Sequence, residues 1–285
     1  MKILIPLDTT PSSEIVLPVA EQLATRLNAS FVLVHVTEPL YSPIFAETAL
    51  QFQDQALQAV AQYLGEHADQ LSPRGVEIEN RLGSPRDVIA EVAQEQGCDL
   101  IVMSSHGRKG LDRWLLGSVA EAVLRRAPCP VLLVRAGVVP TEAGFKNVLI
   151  PIDGSDSSVR VLEQVRPFLL EGARVTVLQS SGIDFREPPA WISPESVERY
   201  FRELEDELQA IKVPGLDLDY KVVDGEASQA ILAVSEELGC DLVAMSTHGR
   251  SGLARVLLGS ITAKVARHSQ LPLLTFPRCG TMDPK

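Results

Sequence analysis

The chain repeats itself, and the repeat decides its architecture. Ile3-Leu4-Ile5-Pro6-Leu7-Asp8 returns as Val148-Leu149-Ile150-Pro151-Ile152-Asp153 at an offset of 145, and SSHGRKGLDRWLLGS from Ser104 to Ser118 returns as STHGRSGLARVLLGS from Ser246 to Ser260 at an offset of 142. A copy of about 140 residues is a whole domain and far exceeds the roughly 20–45-residue unit of a solenoid. The sequence therefore reads as two tandem domains, residues 1–138 and 146–285, with a Gly/Pro/Thr-containing joint between Ala136 and Lys146.

Within each copy, short apolar runs alternate with longer helical patterns. In the first copy, strands are expected at Lys2–Leu7, Phe31–Val36, Val76–Leu82, Leu100–Met103 and Val131–Val134. Helices are expected at Ser12–Leu27, at Phe45–Leu71, after Gly83-Ser84-Pro85, and from Gly117-Ser118. The second copy repeats the order, with Val148–Ile152, Ser157–Leu170, Arg174–Leu178, Pro194–Ile211, Leu218–Val223, Glu226–Leu238, Leu242–Met245, a fourth helix, and Leu271–Phe276. Such alternation implies an α/β fold, a parallel sheet with helices on both faces and right-handed crossovers. Ligands on such sheets bind beyond the carboxyl ends of strands, so motifs at those ends carry the functional reading.

Three features fall there in both copies. An acid closes the first strand, Asp8 in PLDTTPSS and Asp153 in PIDGSDSS; it suits either a ribose-facing carboxylate or an Asx-type turn. The fourth strand ends in Met103-Ser104 and Met245-Ser246, followed by His106-Gly107-Arg108 and His248-Gly249-Arg250, where small residues let backbone approach a ligand. The two arginines could neutralise phosphates or stand as solvated surface charge. Gly117-Ser118 and Gly259-Ser260 open the last helix, whose unpaired N–H groups make a natural phosphate seat. Ser118 with Glu121 also spells a capping box, but the second copy has Ala263 at the equivalent place, so capping does not account for both glycine-serine pairs. The two histidines lack a recurring nucleophile and orienting acid, and a loop-shaping or ligand-contacting role suits them better than general base catalysis.

Composition narrows the classes. Hydrophobic residues at 45% and charged residues at 22% match a chain able to bury a core. A net charge of −11 disfavours broad binding to nucleic acid or anionic membranes. No apolar run is long enough for a transmembrane helix, and MKILIPLD meets Asp8 too early for a secretory segment, so a cytoplasmic location is expected. Cys98, Cys129, Cys240 and Cys279 form no C-x-x-C pair; Cys98 and Cys240, in GCDLIVMS and GCDLVAMS, read as small buried hydrophobes.

These residues resemble the universal stress protein family in its tandem form, over nearly the whole chain. That family's nucleotide-binding loop, G-x2-G-x9-G-[ST], is matched in spacing by Ser104-x2-Gly107-x9-Gly117-Ser118 and Ser246-x2-Gly249-x9-Gly259-Ser260, with serine for the first glycine in both copies. The resemblance implies two adenine nucleotide alpha hydrolase-like domains, each a five-stranded parallel sheet ordered 3-2-1-4-5. The fifth strands, Val131–Val134 and Leu271–Phe276, are then expected to pair the halves as an internal pseudo-dimer, with further association into a homodimer of chains open. The resemblance also implies ATP as ligand, with magnesium able to bridge its phosphates. Asp8 and Asp153 would face ribose; Met103 and Met245 would border the base; Val36, with Gln179 as its counterpart, would pair adenine through backbone. Pro6, Leu7 and Val119 and their counterparts Pro151, Ile152 and Ile261 would complete the two sites, with no catalytic residue and no dedicated metal site. A nucleotide-binding regulatory or stress-response role leads, ahead of a slow ATPase and a nucleotide-free adaptor or dimerisation module.

Overall fold

A computed structural model of the chain describes residues 1–39, 46–71, 75–105, 116–135, 143–182, 193–247 and 258–277. The chain divides into two units between Ala143 and Gly144. In the first unit, Ile3-Leu4-Ile5 is fully buried within β1 (Lys2–Pro6), and so are Phe31, Val32 and Leu33 in β2 (Ser30–Thr37) and Leu100, Ile101 and Val102 in β4 (Leu100–Ser104). Strands covered on both faces need apolar residues at every position, which is why these runs do not alternate. β1 pairs in parallel with β2 and with β4; β2 pairs with β3 (Val76–Leu82), and β4 with β5 (Val131–Val134). The order is β3-β2-β1-β4-β5, and it reverses between β1 and β4. The intervening helices are α1 (Pro11–Glu14), α2 (Leu17–Leu27), α3 (Ala46–Gln70), α4 (Pro85–Glu95) and α5 (Ser118–Arg126).

The second unit has β6 (Phe145–Pro151), α6 (Asp156–Gln164), β7 (Leu169–Ser180), α7 (Pro194–Ala210), β8 (Leu218–Val223), α8 (Ala227–Glu237), β9 (Leu242–Ser246), α9 (Ser260–His268) and β10 (Leu273–Phe276). Parallel pairings of β6 with β7 and β9, of β7 with β8, and of β9 with β10 give β8-β7-β6-β9-β10. The expected five-stranded α/β arrangement is thus present in each unit.

Two expected helices change shape. The span Ser12–Leu27 is two helices, α1 and α2, with Pro18 in the first turn of the second, where its missing N–H costs nothing. The span Ser157–Leu170 stops early: α6 ends at Gln164 and a 3₁₀ turn at Arg166–Phe168 leads into β7, because Pro167 cannot continue the α-helical hydrogen bonds.

The repeated Gly-Cys-Asp phrase has a structural use. Gly97 and Gly239 adopt left-handed backbone just past α4 and α8, with φ of 61° and 59°. The aspartates that follow clasp the start of the central strand: Asp99 Oδ2 accepts from Lys2 N at 2.8 Å, and Asp241 Oδ2 and Oδ1 accept from Lys146 N and Asn147 N at 2.7 and 3.0 Å. Cys98 and Cys240 are buried between, and burial pushes each thiol up to about 11, as inert packing residues behave. Cys129 is likewise buried, and Cys279 lies outside the described residues. No described helix is long and apolar enough to cross a membrane.

Candidate nucleotide site

At the reversal between β1 and β4, the first unit opens a cleft of about 390 Å³. Its floor comes from strand ends. Pro6, Leu7 and Asp8 close β1, Val34 and Val36 lie on β2, and Met103 and Ser104 end β4. Gly117, Ser118, Val119 and Ala120 at the start of α5 form one wall, and Pro85 and Ile89, one turn apart on α4, contribute to another. All the candidate residues of the first copy that lie within the described residues therefore meet in one place. His106, Gly107, Arg108 and, in the second copy, His248, Gly249 and Arg250 lie outside the described residues.

The loop after β1 is held by its own side chains. Asp8 Oδ1 accepts from Thr10 N at 3.2 Å and from Thr10 Oγ1 at 2.5 Å, while Ser13 Oγ accepts from Asp8 N and donates to Thr10 O. The Asx-turn and the ligand-facing readings of Asp8 are thus not rivals: the turn orients the carboxylate in the cleft lining. Thr9 reaches this geometry with φ of 65°, a left-handed conformation unusual for a β-branched residue. Beneath the cleft, buried His35 donates from Nδ1 to Leu7 O at 2.7 Å, anchoring the β1 end to β2.

The start of α5 removes the capping alternative. The N-cap is Gly117, in extended conformation and with no side-chain cap; Ser118 is the first helical residue, which puts Glu121 one position too late to close a capping box. Ser118 Oγ instead accepts from Arg86 of α4 at 3.0 Å. The first amides of α5 have no intrahelical acceptor and sit in the cleft wall. Gly117 N donates to Ser105 O at 2.9 Å, fastening the helix start to the end of β4.

The second unit places Pro151, Ile152 and Asp153 at the end of β6, Met245 and Ser246 at the end of β9, and Gly259, Ser260 and Ile261 at the start of α9. Asp153 Oδ1 accepts from Ser155 N and Oγ at 3.0 and 2.6 Å, the counterpart of the Asp8 turn, with Gly154 at φ 78° in place of Thr9. Gly259 N donates to Thr247 O at 2.9 Å, and a Cβ on Gly259 would lie 2.9 Å from that same oxygen. Close helix-to-strand approach is therefore a structural reason for this glycine, independent of any ligand.

The ladder also corrects the pairing of Gln179 with Val36. Leu7 N donates to Val34 O, and Ile152 N to Leu178 O. Val34 thus corresponds to Leu178, buried Gln179 to His35, and Ser180 to Val36. A shift of one residue along a strand moves a side chain to the opposite face, so Gln179 is not on the face that carries Val36.

Sequence reasoning missed Ser13, Val34, Glu38, Pro85, Ile89, Ser105 and Ala120 of the lining. Val34 follows from the period of two through Val36, and Ile89 from the helical spacing after Pro85; Glu38 carries no local sequence signal.

Comparison with known proteins agrees with this geometry. The profile of the universal stress protein family matches residues 1–135 and again 144–277. This chain belongs to the universal stress protein family. Among curated members, universal stress proteins of Mycobacterium bovis and Mycobacterium tuberculosis are each 26% identical over 226 residues, covering 70% of this chain and 68% of theirs. A solved universal stress protein from Archaeoglobus fulgidus shares the fold with a TM-score of 0.71 at 22% identity, covering 98% of both chains. A protein of unknown function from Pseudomonas aeruginosa follows with a TM-score of 0.65 at 18% identity, covering 97% of this universal stress protein and 92% of its own chain.

Proposed function

We propose that this universal stress protein is a cytoplasmic regulatory protein that binds ATP in each half. The observation that carries this reading is the convergence of Asp8, Met103 and Gly117-Ser118 on one cleft at the strand-order reversal. Val34, Val36 and Met103 offer apolar surface to a purine. Asp8, held by Thr10, offers carboxylate oxygen to ribose hydroxyls, and the uncapped start of α5 offers amides to phosphate. Magnesium would arrive with the phosphates; the described residues contain no group of three or more His, Cys, Asp and Glu able to hold an ion by themselves.

Native mass spectrometry of gently purified full-length protein, with acid release of bound nucleotide, tests the proposal, followed by equilibrium titration with ATP and magnesium. Retained or titratable ATP is expected. Conversion of ATP to ADP would favour the slow-ATPase reading, and no binding at millimolar ATP would overturn nucleotide regulation in favour of an adaptor.

A further inference from the structure

The two units differ in charge at the turn that precedes α4 and α8. In the first unit this turn reads Gly83-Ser84-Pro85-Arg86; in the second it reads Gly225-Glu226-Ala227-Ser228. Arg86 is exposed on the first turn of α4, and its Nη2 donates to Ser118 Oγ at 3.0 Å, which places a permanent cation at the start of α5. Among the described residues, the charged ones lining the cleft, Asp8 and Glu38, are both acidic, so a cation beside it would favour a bound polyphosphate.

The second unit reverses the arrangement. Glu226 caps α8, accepting from Gln229 N at 3.1 Å and from Ser228 Oγ at 2.5 Å, and it also holds Lys264 of α9 at 3.1 Å. Ser228 stands where the first unit has Arg86, and the lysine one turn into α9 is already neutralised by a carboxylate. Two further exchanges close the second site against itself. Thr262 Oγ1, at the position of Ala120, donates to Ser246 O at 3.1 Å. Ser180 Oγ, at the position of Val36, donates to Gly225 O at 2.5 Å.

We infer that Arg86 is the phosphate-recognising residue of the first cleft, and that this unit alone grades adenine nucleotides by phosphate number. The inference rests on the nucleotide reading above and adds to it a residue and an inequality between halves. The loop arginines Arg108 and Arg250 recur in both copies and do not distinguish them; Lys109, aligned with Ser251 in the repeat, lies outside the described residues. On binding, the guanidinium exchanges the neutral Ser118 hydroxyl for phosphate oxygens, which it can engage with two parallel donors. Because Arg86 is exposed, this exchange carries little desolvation cost.

The test is equilibrium titration of the full chain with ATP, ADP, AMP and adenosine, for wild type, Arg86→Ala, and the double variant Glu226→Ser with Ser228→Arg. In wild type, the tighter site should strengthen with each added phosphate. Arg86→Ala should weaken ATP at that site by about tenfold or more and leave adenosine unchanged, the loss of one charge-assisted contact. The double variant should strengthen ATP at the weaker site by a similar factor. Equal losses for ATP and adenosine in Arg86→Ala, or no loss for either, would overturn the role of Arg86 while leaving nucleotide binding in place. If wild type binds neither ATP nor adenosine, the nucleotide reading itself falls and this inference with it.

Discussion

The two candidate sites share a plan and differ in what fills it. In both units the acid after the first strand is held by a hydroxyl two residues on, and a glycine starts the last helix against the end of the fourth strand. In the first unit the remaining positions carry Val36, Ala120 and Arg86: two apolar side chains with no hydrogen-bonding groups and one exposed cation. In the second they carry Ser180, Thr262 and Ser228, each of which hydrogen-bonds within its own unit. Duplicated domains can thus keep a motif's spacing while the side chains around it change from apolar and cationic in one copy to hydroxyls bonded within the fold in the other. Motif spacing alone does not separate these outcomes; the hydrogen-bond partners do.

The comparison can be broken most forcefully at Gly259. Gly259→Ala sets a methyl group 2.9 Å from a backbone oxygen that cannot move aside, and should destabilise the second unit by about 2 kcal/mol in urea unfolding. An unchanged midpoint would show that α9 shifts freely, removing the structural reason for this glycine. The exchange of Thr9 and Gly154 is next in size. Gly154→Thr should cost about 1 kcal/mol and Thr9→Gly should stabilise by somewhat less, since both positions hold left-handed backbone and glycine relaxes it at an entropic penalty in the unfolded chain. Equal and opposite shifts would sharpen the equivalence of the two loops, whereas destabilisation by Thr9→Gly would mean that the Thr9 side chain contributes more than its backbone strain removes.

The smallest effect is one of pH. The Ser228 hydroxyl, together with Lys264 and the Gln229 amide, lowers the Glu226 carboxyl from the ordinary 4.5 to about 2. A carboxyl with a depressed folded-state value stabilises above its unfolded value and loses that contribution as pH falls through the folded one. Glu226→Gln should therefore be slightly less stable than wild type at neutral pH, by under ~1 kcal/mol for so exposed a group, with the difference vanishing between about pH 4.5 and 2. Thermal unfolding at a series of pH values measures this, and a difference that persists at pH 2 would assign the effect to packing instead of charge.

Most of the fold was legible because its signals are redundant: the repeat, the apolar runs alternating with helical patterns and the Gly-Ser helix starts all point the same way. Local patterns stop being informative where one residue changes the register. The place of Gln179 in an apolar run makes it a counterpart of Val36, but the pairing of β7 with β6 gives that place to Ser180. Ser118 and Glu121 have the spacing of a capping box, yet Gly117 takes the cap and moves both by one position. Arg86 carries no motif at all. Its relevance comes from α4 and α5 packing together, a contact between residues 32 positions apart that no local pattern announces.

The aspartate clasps have a consequence for how the chain acquires its structure. Each ties the start of a unit's central strand to a residue more than 90 positions later, so β1 gains its second neighbour only after β4 has been made, and β6 only after β9. Until then an apolar strand stands half covered, and the repeat supplies a near copy, Val148–Ile152 for Ile3–Leu7, able to compete for the same slot. Non-local pairing of this kind slows folding and exposes duplicated domains to exchange of equivalent strands. Asp99 and Asp241 thus act late, as latches that close on the start of the central strand once its second neighbour has arrived.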